Sequence, residues 1–215
     1  MHWIEYVSLF TLGFSSMFPM INPVGTALII NPQLSHDPLP VRKANSFHIV
    51  MICFILGVAT LLVGTWFLKF IGISIPTTQM AGGILLSRMG MMLLGEGDTD
   101  SKGANQSDVG ESLFYPLSFP LTLGPGGLAT LITLSAHSHS SDITETFINL
   151  GVITLSLGTV LVITYFCFSY TRVLVERIGK SGSQALNRLM AFVVFCIGIQ
   201  MFIVGLARAF PHLFQ

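Results

Sequence analysis

Between Glu5 and Asp37 the chain carries no charged residue, and similar charge-free runs return at 44–68, 112–141, 146–171 and 189–207. Runs of about 20 mostly apolar residues match the thickness of a bilayer's hydrocarbon core. They cannot also supply a wet surface. Of the 215 residues, 52% are hydrophobic and 9% charged, whereas a soluble domain carries about 25% charged residues. Mean hydropathy is +0.75. The chain therefore reads as an all-α integral membrane protein whose main solvent and partner is lipid.

Ten acids balance ten bases, so nothing draws the chain to nucleic acid. Cys53, Cys167 and Cys196 lie inside apolar runs and form no zinc or CxxC spacing, which marks them as small buried hydrophobes. The first Lys or Arg is Arg42. The N-terminal run thus lacks the basic flank and A-x-A-like site of a cleaved signal, and is expected to remain as a span. Six spans are expected, at about 6–30, 48–68, 79–95, 113–136, 147–170 and 187–208. Residues 1–95 and 112–215 then each hold three, separated by a polar linker at 96–111 (within the stretch GEGDTDSKGANQSDVGES, 95–112), with further loops at 31–46 and 171–188. With the N-terminus outside, Arg42, Lys43, Lys102, Arg172, Arg177, Lys180 and Arg188 fall inside, and only Lys69 and Arg208 outside. That bias puts both termini on the outer, periplasmic side of a cell (inner) membrane.

The first run is spoiled in its middle. FPMINPVGTALI (18–29) sets Pro19, Asn22, Pro23 and Gly25 close together, and all of them disfavour a helix interior. The fourth run answers with FPLTLGPGGLA (119–129). Proline suits the first helical position, after an Asn or Gly cap. Each motif therefore reads as one helix ending and another beginning near the midplane. A shift of 110 residues also lays MAGGILLSRMGMMLLG (80–95) over MAFVVFCIGIQMFIVG (190–205). Two copies of three spans enter the bilayer upside down relative to each other, the inverted repeat of secondary transporters, whose sites lie on broken helices.

Irregular backbone at that depth survives where protein buries it or where it lines a cavity. Helix starts at Pro23 and Pro125 would direct free N–H groups and about half a positive charge each at an anionic group. Asn22, Pro23, Val24, Gly25, Thr26, Gly124, Pro125, Gly126, Gly127 and Thr130 are the expected substrate-binding residues, with glycines permitting close approach. Ser15, Ser16, Ser118 and Thr122 lie near enough to bind a ligand or cap the breaks. Arg88, midway along the third span, either contacts a carboxylate or snorkels or pairs with Glu96. His137 and His139 sit in a polar turn. No acid falls inside the spans as drawn, and no HExxH or GxSxG is present, which disfavours cation transport, metal and catalysis. No cofactor is expected; coupling to Na⁺ or H⁺ stays open, as does a homo-oligomer.

NPVG (22–25), IGIS (71–74), AGGILL (81–86) and PLTLGPGGLATLI (120–132) together resemble the MarC family of six-span membrane proteins, related to LysE-type exporters. The resemblance implies two inverted three-span repeats, and transport of glycine, alanine and similar substrates as in the SnatA-type members. It carries Asn22, Pro23, Gly25, Gly124, Pro125 and Gly126 onto the motif positions; Arg88 departs from the family's usual apolar or small residue. The expectation is a secondary transporter of small neutral amino acids, with a passive channel or exporter for small neutral or anionic solutes as the alternative.

Overall fold

The computed structural model describes residues 2–34, 37–95, 113–138 and 142–211. The expected linker at 96–111, Glu96 and His139 lie outside them. Every regular element among the described residues is helical: α1 (His2–Ile21), α2 (Pro23–Leu34), α3 (Leu39–Ile71), α4 (Ile75–Gly95), α5 (Leu113–Thr122), α6 (Pro125–Ser138) and α7 (Ile143–Ala209).

Local chemistry sets the boundaries. Pro38 precedes α3, and Gly72 at φ +80° ends it, its N–H reaching Lys69 O while Ile73 N–H reaches Leu68 O. The Asp142 carboxylate caps α7 by accepting from Thr144 N–H at 3.0 Å. α5 is wound as a π-helix. Pro116 and Pro120 cannot donate to the ladder, and the wider winding appears in Leu123 N–H bonded to Ser118 O, five residues back.

Among the described residues, four stretches are long and apolar enough to cross a membrane: Trp3–Asn31, Leu39–Ile71, Ile143–Val173 and Ala191–Ala209. The expected third and fourth spans are less regular. The third is α4, begun four residues earlier than read and diluted by Gln79, Ser87 and Arg88. The fourth is split into α5 and the short apolar helix α6.

The loop expected at 171–188 is a correction. Helical structure continues through it from Ile143 to Ala209, because the stretch contains Gly179 and Gly182 but no proline to stop it. α7 is nonetheless not straight. Ser156 Oγ bonds Phe10 O of α1, while Ile197, Gln200 and Arg208 share a cavity with Leu12 and Ser16 of the same helix. A straight helix would hold Ser156 and Ile197 about 60 Å apart, so the chain doubles back between them.

The returning half of α7 packs antiparallel on α4 through small residues. A Cβ at Gly83 would meet Phe202 N at 2.5 Å, one at Gly198 would meet Ser87 N at 2.4 Å, and one at Gly205 would meet Met80 N at 2.9 Å. Such backbone contact replaces the hydrophobic drive that lipid removes. The core lies where α1, α3, α6 and the first half of α7 meet, at Met17, Ile21, Ile49, Cys53, Leu131, Ile153 and Leu157. Trp66, Phe70, Phe147 and Phe166 point outward, as lipid-facing side chains do.

Candidate functional site

The first break falls at Asn22. Its backbone is left-handed, φ +47°, a conformation Asn tolerates better than other non-glycine residues. Asn22 Oδ1 accepts from Gly25 N–H at 3.3 Å, capping α2, and Thr26 N–H reaches Asn22 O at 2.9 Å. That bond fixes which way the carboxamide points. It leaves Asn22 Nδ2 buried and without a partner among the described residues. Thr26 Oγ1 donates to Ile21 O at 2.7 Å, five residues back. Pro23, Gly25 and Thr26 are buried and Val24 half-buried.

The second break spans Leu123 and Gly124. Thr122 Oγ1 donates to Leu117 O at 2.7 Å and Ser118 Oγ to Leu113 O at 2.6 Å, again five residues back. Leu128 N–H takes Gly124 O at 3.0 Å. Gly124 has no side chain, so the Gly126 and Gly127 amides receive no oxygen from their own cap residue. Gly124, Gly126 and Gly127 are buried, Pro125 and Thr130 half-buried, and Thr130 Oγ1 bonds Gly126 O at 2.9 Å.

The glycines were expected to leave room for a ligand. Protein side chains stand there. A Cβ at Gly25 would lie 2.3 Å from Asn22 Nδ2, one at Gly126 3.2 Å from a Leu86 methyl, and one at Gly127 3.0 Å from a Leu123 methyl.

A cavity of about 360 Å³, apolar over most of its wall but carrying several polar side chains, opens beside the breaks rather than at them. Ser16 and Pro19 of α1, Gln79 of α4, Thr130 and Thr133 of α6 and Arg208 of α7 are among its lining residues. Its wall therefore draws on both halves of the chain and includes the last turn before Asn22. Of the expected site residues Thr130 lines it. Val24 lines a smaller pocket with Tyr170, and Pro125 a broad apolar groove along α3. Arg88 is exposed on α4 and is not among the described residues lining these three spaces, as a snorkelling side chain would be.

Sequence reading passed over two polar residues. Arg42, counted only for orientation, is 1% exposed: Nε donates to Phe168 O at 2.8 Å and Nη2 to Asn31 Oδ1 at 2.9 Å, tying the far end of α2 to α3 and α7. Gln79, 6% exposed, gives Nε2 to Thr133 Oγ1 at 2.8 Å. Its one visible signal was an amide at the edge of an apolar run.

Against protein families, residues 7–210 match the MarC family integral membrane proteins. The chain belongs to the MarC family. It is 31% identical to a UPF0056 membrane protein of Methanocaldococcus jannaschii, across 93% of this chain and 97% of that one. It is 29% identical to another of Pyrococcus horikoshii, across 96% and 98%. It is also 26% identical to the UPF0056 inner membrane protein MarC of Salmonella arizonae, across 90% and 92%. No solved structure matches. This MarC-family chain is thus an integral membrane protein with several apolar spans, and its named relatives include inner membrane proteins.

Proposed function

We propose that this MarC-family protein is a secondary transporter of small neutral amino acids rather than an enzyme, built from six spans as two inverted repeats with both termini outside. One observation carries the reading: two helices interrupted before a proline, at Asn22-Pro23 and Gly124-Pro125, with a cavity beside them walled by both halves and carrying Gln79, Thr130 and Thr133. Broken helices at a repeat interface are the seat of transporter sites.

Three details support it. The pairs Met80–Gly205, Gly83–Phe202 and Ser87–Gly198 keep one antiparallel register, centred midway along 80–95 and 190–205, as a two-fold relation between those segments requires. The halves pack crosswise: α3 holds α5 and α6 (Cys53 Sγ to Ser118 O, Ser135 Oγ to Leu61 O), while α7 holds α1 (Ser156 Oγ to Phe10 O). The orphaned Asn22 Nδ2, beside the positive start of α2, fits the carboxylate of a substrate.

Purified protein in proteoliposomes should take up labelled alanine or glycine with saturation and counterflow. Flux that never saturates would favour the passive channel, and absence of amino-acid flux would sink the reading.

A further inference from the structure

Gln79, which lines the cavity between α1, α4, α6 and α7, carries a buried acceptor with no partner among the described residues. Thr133 Oγ1 donates its proton to Ala129 O at 2.9 Å and so accepts from Gln79 Nε2. That order fixes the carboxamide: the nitrogen faces α6, and Gln79 Oε1 is buried with no partner among the described residues. Thr130 Oγ1 likewise spends its proton on Gly126 O, leaving lone pairs on the same cavity wall. A buried unpaired carbonyl oxygen costs free energy until an N–H or O–H meets it.

The cavity's charge selects the donor. Among the described residues lining it there is no carboxylate, and Arg208 is its one charged group. A bare cation would meet acceptors but no neutralising charge, and Arg208 would repel it. A zwitterion brings its own counter-charge, so its ammonium enters as part of a molecule with no net charge for Arg208 to repel. At about 360 Å³ the space lies within the range of small-molecule sites.

We propose that this cavity seats the substrate's ammonium group, with Gln79 Oε1 and Thr130 Oγ1 as its acceptors and Thr133 as the residue that orients Gln79. The inference rests on the amino-acid reading above and adds the half of the substrate that the helix breaks do not address.

Equilibrium binding to the purified protein tests it apart from transport. L-alanine should bind at least about tenfold tighter than propionate, which lacks the ammonium, or ethylamine, which lacks the carboxylate. In Gln79→Leu, alanine should weaken to about the affinity of propionate, while the helical circular dichroism stays that of the native chain. Thr133→Val, which frees the carboxamide to turn, should weaken alanine by a smaller factor and leave propionate unchanged. Alanine affinity unaltered in a folded Gln79→Leu would overturn the assignment even if uptake persists. So would Gln79-dependent binding of Na⁺ alone in the absence of alanine. Binding with these dependences but without flux would instead spare this site and count against the transporter.

Discussion

The two interrupted helices solve one problem by different means. At Asn22 a side chain closes the gap: the residue turns left-handed, its carboxamide caps the next helix, and Gly25 makes room for it. At Gly124 the backbone does the work. α5 widens to π winding, and the helix that follows starts with nothing from its cap residue but a carbonyl. What they share is a hydroxyl, Thr26 or Thr122, bonded to a carbonyl five residues back. Each broken span thus carries a threonine hydroxyl bonded to its own backbone, while the amide side of the break differs between the halves. The first break is built rigid and the second open.

The contrast predicts unequal sensitivity. The first of the two largest effects belongs to Arg42, which pins the far end of the first half-helix. Arg42→Met should cost about 3 kcal/mol, since two bonds from a charged donor are lost, one of them to the buried Phe168 O and the other to the half-buried Asn31 Oδ1. The fall in the midpoint of detergent unfolding measures it. Gly25→Ala comes next: its methyl would sit 2.3 Å from Asn22 Nδ2 and expel the cap, for about 3 kcal/mol. Its counterpart Gly126→Ala needs only a small shift of Leu86, 3.2 Å away, and should stay within about 1 kcal/mol. Equal losses at the two glycines would erase the distinction between a rigid and an open break.

Asn22→Ala should cost about 2 kcal/mol, one part for the cap and one for a left-handed alanine, while Asn22→Gly recovers the second part. Equal melting of the two variants would show that the φ of +47° contributes nothing. Smallest and most alike are Thr26→Val and Thr122→Val, each expected to lose about 1 kcal/mol. A clear difference between them in the same unfolding assay would break the one feature the two sites hold in common.

The interruptions were legible because Asn-Pro and Gly-Pro act on the backbone next to them, whatever surrounds the chain. The stretch 171–188 was misread for a related reason: glycines and charges suggested a loop, but only a proline would have forced the helix to stop, and none is there. Arg42 counted as one more inner-side cation because its burial depends on Asn31 and on Phe168, a residue 126 positions away. Gln79 gave almost no signal, since an uncharged amide at a span's edge becomes notable only when Thr133 holds one end and leaves the other bare.

Hydropathy and the stereochemistry of proline act over a few residues. They alone determined that this chain lives in lipid and that two of its helices are cut. Which polar groups the cuts leave wanting was decided by the fold. Whether an amide or a carbonyl oxygen goes unpaired depends on what a neighbouring helix brings within about 3 Å, and no local rule sets that distance. The tertiary structure put Leu86 against Gly126, turned Arg88 outward, and left the buried Gln79 Oε1 without a partner among the described residues.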